Sequence, residues 1–329
     1  MKKKFVSTLL IAAMTMTALV GCGGGESTET KAATETTAEA TSEDAVKIGV
    51  IQFMQHASLD EAYNGFVDGL AEAGYASGEV SNCQQICGLF VNNDTDMVLS
   101  IATPAAQSAV NACQETDIPV LFTAVTDAVG AGLVDSNEAP GKNVTGTLDM
   151  PVIADQIAVI KDVLPEAEDL AILYTSSEAN SEIQAEEAKA AAEALGMNVI
   201  IQTASTSNDI PQVISSVVGS ADAIYIPSDN AFASAMATVN SSAVENQIPV
   251  FCAVEAMIAE GGIATTAIDY YELGKQTAAQ AVRVINGESA SEIAVETQKD
   301  CALVVNKTFA ESVGVEVPAT VLDKAATVY

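Results

Sequence analysis

Positive charge is what this chain has least of. Its 13 lysines and arginines stand against 44 aspartates and glutamates, a formal net charge of −31 at pH 7, and three of those lysines sit in the opening MKKK. So acidic a body repels a phosphate backbone, which excludes nucleic acid as a partner. Histidine is nearly absent too, with His56 alone. A Ser-His-Asp hydrolase would have to use it, yet no GxSxG elbow presents a serine. No GxxxxGK phosphate loop occurs either. The one acidic triplet, DTD at 94–96, precedes a strand, the wrong end of a sheet for a cleft, and reads as a turn rather than a cation loop. Binding without chemistry is the better class, with no cofactor and no metal expected; a hydrolase using His56 is the weaker alternative.

What is present begins with an address. The cationic start is followed at 5–20 by an apolar stretch too short for an ordinary spanning helix, closed by LVGC. The pattern resembles the lipobox, in which the thiol of Cys22 receives a diacylglyceryl group before cleavage. Two acyl chains, at roughly 0.8 kcal/mol per buried methylene, hold a protein on a membrane where one would not. We therefore expect a signal peptide over 1–21 and anchoring to the outer face of the cell membrane. Residues 23–45 contain no large apolar side chain, so 22–45 is expected to be a disordered tether. Roughly 285 residues are left to fold, enough for two modest domains. With Cys22 given to lipid, the other five of six cysteines are odd in number and lack zinc-like spacing. Cys83, Cys87, Cys113, Cys252 and Cys301 read as small core residues rather than a disulfide framework.

From Val46 onward, short β-branched runs alternate with Ala-rich helical stretches, which predicts parallel sheets covered by helices. VKIGVIQF is a strand; 58–74 is a helix with a Ser58/Glu61 capping box; DMVLSIA and PVLFTAV are strands around the helix TPAAQSAVNACQ, with Thr103 as its N-cap. The second half repeats the order with LAILY, NVIIQTA, ADAIYIP and PVFCAV, and IPVLFTAV at 118–125 matches IPVFCAV at 248–254. The pattern predicts two doubly wound α/β lobes in tandem. The elements left over, a helix from Tyr270 and a strand at CALVVN, make sense if the chain crosses between lobes three times and so forms a three-strand hinge. Lobe one is then 46–148 plus 269–294 and lobe two 149–268 plus 295–329, with Asp149 and Asp269 near the first two crossings. Between Gly74 and Met97 there is room for a helix at 81–92 but almost no strand, so lobe one is expected to have a stunted or missing second strand.

In open parallel sheets, ligands sit beyond the carboxyl ends of the strands, where helix N-termini also point. Lobe one places Gln52, Phe53, His56, Thr103, Thr126 and Asp127 there. Lobe two places there the stretch YTSSEANS with Ser177, Glu178 and Asn180, then Ser228, Asp229 and Asn230, and finally Glu255. Plainer readings exist for each: Ser181 with Gln184 spells a capping box, Thr103 and Ser228 could cap helices, and Asp127 could close a turn. Convergence on both lobes favours a ligand mouth.

The segments KIGVIQF, IATPAAQ, FTAVTDAVGAGLV, NVTGTLDM, YTSSEANS, YIPSDN and IDYYELG, behind a lipobox and tether, together resemble the ABC-transporter substrate-binding lipoproteins of the tryptophan-binding type. The resemblance covers nearly all of 46–315. It implies a type I periplasmic-binding-protein-like fold and a monomeric receptor that captures an aromatic or large apolar amino acid between lobes and delivers it to an ABC permease and ATPase. The family commonly reads EHPALD where this chain has QHASLD, and TDPVGA where it has TDAVGA. On that implication the ligand carboxylate is expected on Thr103, Thr126 and the amides of Ala105 and Ala106. The ammonium is expected on Asp229, with Glu255 second, and Phe53 against the side chain. Ser177 and Asn180 would then close over the ligand. A nucleoside, a sugar or a short peptide is the alternative ligand.

Overall fold

The computed structural model describes residues 46–75, 95–298 and 300–329. The leader, Cys22 and the tether lie outside the described residues. So do the helix expected at 81–92 with Cys83 and Cys87, and most of the segment where a stunted strand was expected.

The first sheet joins β1 (Ile48–Gln52), β2 (Met97–Ile101), β3 (Val120–Val125), β4 (Val144–Leu148) and β10 (Glu296–Thr297), all parallel and in that spatial order. Among the described residues β1 is one of its two edges and β10 the other. Strands β2, β3 and β4 are buried along their whole length, as β-branched runs covered on both faces must be. Alternate residues serve opposite cores: Leu99 and Leu121 pack with Leu59 and Phe66 of α1 (Ala57–Glu72) and Leu273 of α9 (Tyr270–Ile285), while Val98 and Phe122 pack with Ala106 and Ala109 of α2 (Thr103–Cys113). The approach of α1 to α9 is close because glycine permits it. A Cβ on Gly65 would strike the carbonyl oxygen of Tyr271, and one on Gly274 that of Ala62.

The second sheet runs β6 (Asn198–Ala204), β5 (Asp169–Thr175), β7 (Ala223–Ile226) and β8 (Val250–Cys252), again parallel. Its helices are α3 (Ile153–Val163), α4 (Ala179–Ala194), α5 (Ile210–Val217), α6 (Asn230–Ser234), α7 (Met236–Asn246) and α8 (Glu255–Gly261). A small third sheet continues this lobe: β9 (Ala264–Ala267) pairs antiparallel with β11 (Ala302–Val305), which pairs parallel with β12 (Thr327–Val328). Short helices α10 (Lys307–Ser312) and α11 (Ala319–Leu322) fill the connection between the last two strands.

The chain crosses from the first half to the second after Leu148, back after Ala267 and over again after Thr297. These crossings are bonded to each other. Asp269 N donates to Gln298 Oε1 at 3.0 Å, Gln298 Nε2 donates to Asp269 O at 2.6 Å, and the Tyr270 hydroxyl donates to Asp149 Oδ2 at 2.7 Å. One boundary differs from expectation. Thr297 pairs with Leu148, so the first lobe keeps the chain past residue 294, because β10 completes the exposed side of β4. Cys301 also departs from the expected core role: Cys113 and Cys252 are buried but Cys301 is exposed, immediately before β11.

Candidate functional site

The carboxyl ends of the two parallel sheets face one another across a cavity whose empty space, open solvent at its mouth included, is about 350 Å³. Lobe one contributes His56 and Ser58 from the start of α1, Thr103 from the start of α2, and Ala124 and Thr126 from the end of β3. Lobe two contributes Asn180, Ser228, Asp229 and Asn230. Two wall residues, Asp149 and Tyr270, belong to the crossings. Backbone strain gathers at the lobe-one wall. Ala102 has φ 80 and Ala124 φ 54, conformations that cost a non-glycine residue about 1–3 kcal/mol and persist only where surroundings enforce them. At Ala124 the register of β3 against β4 slips between Phe122 and Val125, so the strand end turns toward the cavity instead of finishing the ladder.

The hydroxyls and amides after β5 have a specific task. Asn180 Nδ2 and Ser181 Oγ both donate to Ser228 O, at 2.9 and 3.1 Å, and Gln184 Oε1 accepts from Ser228 N at 2.8 Å. They grip the backbone where β7 ends. Ser181 and Gln184 therefore do not form the capping box their spacing suggests; α4 begins at Ala179 without a side-chain cap. Nor does Ser58 cap α1, whose N-cap is His56 without a side-chain bond. Thr103 lies inside α2 and Ala102 is the N-cap. Asp127 does close a turn, accepting from Val129 N and Gly130 N.

Two buried acids support the lobe-two wall, Asp229 at the cavity itself and Glu178 outside its lining. Asp229 caps α6 by accepting from Phe232 N at 2.9 Å, and also accepts from Thr175 N at 2.6 Å and Thr175 Oγ1 at 2.8 Å. Glu178 accepts from Asn230 N, Asn230 Nδ2 and Ala231 N at 3.0, 2.6 and 3.0 Å. Burial raises both carboxyls above the ordinary range, and their mutual repulsion adds to this for Glu178. Because Asn230 gives its amide N–H to Glu178, its Oδ1 faces outward, and His56 Nε2 donates to it at 3.1 Å from the other lobe. Burial lowers the pKa of His56 and so favours the neutral ring, which, with Nε2–H given to Asn230, leaves Nδ1 as an acceptor. Among the described residues, His56 Nδ1, Ser58 Oγ and Asn180 Oδ1 are buried side-chain atoms without a hydrogen-bond partner. All three residues line this one cavity.

Of the residues expected at the site, His56, Thr103, Thr126, Asn180, Ser228, Asp229 and Asn230 meet at the cavity. The others are placed elsewhere. Gln52 donates to Met54 O and Asp60 Oδ1, and Phe53 is half-buried against both cores. Ala105 and Ala106 are buried in the core under α2, with Ala106 N bonded to Ala102 O. Ser177 is exposed; Glu255 accepts from the Tyr329 hydroxyl at 3.0 Å. Cys22 lies outside the described residues. Sequence reasoning missed Asp149, Tyr270 and Ser58, and the apolar lining Leu59, Val254 and Met257. Asp149 was within reach, since a residue at a lobe crossing lies by construction beside the cleft. No group of three or more His, Cys, Asp or Glu is placed to hold a metal ion among the described residues, and none of their helices is long and apolar enough to cross a membrane.

Residues 47–329 match the family model described as ABC transporter substrate binding protein. The chain belongs to that family. It is 35% identical over 321 residues to a tyrosine-binding protein of Clostridioides difficile (strain R20291), covering 93% of this chain and 90% of that one. A Streptococcus pneumoniae ABC domain solved in complex with L-Trp is 36% identical, with a TM-score of 0.82 over 87% of this chain and 100% of its own. A ligand-free, open substrate-binding protein with adhesive properties from Clostridium difficile is 37% identical, with a TM-score of 0.66 over 86% of this chain and 99% of its own. ABC substrate-binding proteins of this fold are type I periplasmic-binding-protein-like and bind solutes without catalysis. His56 accordingly serves as a wall of the cavity facing Asn230, not as a general base.

Proposed function

We propose that this substrate-binding protein is an extracytoplasmic, lipid-anchored receptor that takes an aromatic amino acid into the cavity between its lobes and presents it to the permease and ATPase of an importer. One observation carries the reading: buried polar atoms from both lobes, His56 Nδ1, Ser58 Oγ and Asn180 Oδ1, converge unpartnered on a single cavity. Native structures leave few such atoms without reason, and a zwitterion would satisfy them. Leu59, Val254 and Met257 supply an apolar wall for the ligand's ring. The relatives named for tyrosine and solved with L-Trp support the ligand class. At nearly equal identity the fit is better to the L-Trp complex than to the ligand-free, open structure, 0.82 against 0.66, which supports reading the described arrangement as the closed one. His56–Asn230 is then a contact of closure.

The test is a thermal-shift screen across amino acids, nucleosides and sugars, since a ligand that binds only the native state raises the melting temperature by mass action. L-tyrosine or L-tryptophan should give the largest rise. A rise with a nucleoside or a sugar alone would refute the reading.

A further inference from the structure

The cavity is lined by two carboxylates, Asp149 and Asp229, and by no lysine or arginine. It is a site of negative potential, suited to a ligand that brings its own cation. The two acids are differently placed to receive it. A carboxylate offers about four acceptor sites. Asp229 has committed three to Thr175 N, Thr175 Oγ1 and Phe232 N. It is a cap and a brace for β5 and α6. Asp149 Oδ2 accepts from the Tyr270 hydroxyl at 2.7 Å, Oδ1 has a long 3.3 Å bond from Thr126 Oγ1, and the residue's own backbone N–H, which also donates to Val125 O, adds a shared contact. Its acceptors are held by one short bond and two weak ones, less fully engaged than those of Asp229, although the residue is only 5% exposed.

We infer that Asp149, the carboxylate at the first crossing between the lobes, receives the ligand's ammonium, while Asp229 braces the lobe-two wall. The inference rests on the amino-acid reading above and deepens it. A buried carboxylate with neutral donors alone is poorly compensated, and a cation arriving with good geometry removes that deficit. Burial pushes the Asp149 carboxyl up to about 6, the direction expected of an acid still lacking its counter-charge. Tyr270 adds a mechanical consequence. Its hydroxyl ties Asp149 to the first residue of α9, just beyond the second crossing. An ammonium on Asp149 is thereby fastened to two of the three strands that must bend when the lobes move. Its remaining N–H groups can turn to Asn180 Oδ1, the open acceptor of lobe two. The chemical class follows: a compound with a primary ammonium beside its carboxylate, not a neutral sugar or nucleoside.

The experiment compares L-tryptophan with 3-(indol-3-yl)propanoate, which lacks only the ammonium, by calorimetric titration of the full chain purified in detergent. The proteins are the wild type, Asp149→Asn and Asp229→Asn. The wild type should bind the amino acid at least about 30-fold more tightly than the desamino compound, as expected for a charged hydrogen bond in a buried site. Asp149→Asn should bring that ratio within about threefold, and Asp229→Asn should leave it near the wild-type value. Because the readout is a ratio, a general loss of affinity does not imitate it. A preserved ratio in Asp149→Asn, or a collapsed one in Asp229→Asn, overturns the inference. Should Asp149→Asn fail to fold, the Asp229→Asn ratio decides alone. Failure of the wild type to bind any amino acid would strike the amino-acid reading instead, and is read separately from the two variants.

Discussion

His56 at the start of α1 and Asn230 at the start of α6 meet at 3.1 Å, 174 residues apart in sequence and on opposite walls of the cavity. Asn230 can accept because Glu178 holds its amide group from behind, at 2.6 Å. The contact is possible only when the lobes are together. One side-chain hydrogen bond is worth about 1 kcal/mol net, so His56→Ala should weaken amino-acid binding by roughly 5- to 10-fold. Small-angle scattering should show a larger mean radius for the variant without ligand. Wild-type affinity and radius in His56→Ala would remove the latch.

Ligand affinity should fall as the solution is made acidic. An ammonium on Asp149 lowers the carboxyl's pKa in the complex below its free value of about 6, so the free protein holds the more tightly bound proton and binding must expel it. Affinity is then flat above that value and drops by up to about tenfold per pH unit below it. His56 acts in the same direction, because burial in the closed form disfavours its charged ring. Asp229 and Glu178, also raised by burial, lie on the lobe-two side and would add a smaller slope. Titrations at pH 5, 6 and 7 with wild type and Asp149→Asn check this, the variant keeping only the residual slope.

Packing between α1 and α9 should be the least forgiving part of lobe one. Gly65→Ala or Gly274→Ala drives a methyl group into backbone carbonyl oxygen, which cannot swing away as a side chain could. A loss of about 1–3 kcal/mol in stability is expected for each, measured by denaturant titration. A change below about 0.5 kcal/mol, the scale of surface substitutions, would mean the helices separate readily.

The lipid anchor is tested by metabolic labelling with a fatty acid. The wild type should be marked and Cys22→Ala should not be. Label on both would remove the anchor.

Much of the architecture was legible because it is written as periodicity. β-branched runs buried on both faces have to alternate with helices, and the repetition of IPVLFTAV as IPVFCAV betrayed two lobes. The site was legible only in part. His56, Thr103, Thr126, Asn180, Asp229 and Asn230 follow strand ends, a position the topology assigns to the cleft. Asp149 and Tyr270 follow no such rule as site residues, because they reach the cavity through the crossing geometry. Ser181 and Gln184 show the limit most clearly. Their spacing is that of a capping box, and nothing local distinguishes a helix cap from a pair of side chains turned to hold the backbone of Ser228, 44 residues beyond Gln184. Ala106 failed for a related reason. A helix start offers free amides only over its first turn, and Ala106 N is already bonded to Ala102 O.

The central claim, an aromatic amino acid held between the lobes, meets its most direct test in fluorescence. The chain contains no tryptophan, so emission excited beyond the tyrosine band belongs to added L-tryptophan alone. Titration with the full chain should give a saturable, one-to-one blue shift of that emission as the indole enters the apolar wall of Leu59, Val254 and Met257. L-tyrosine should reverse it by competition, and a sugar or a nucleoside should not. Emission that stays at the wavelength of the free amino acid throughout, at protein concentrations where a nucleoside or a sugar stabilises the fold, would contradict the account.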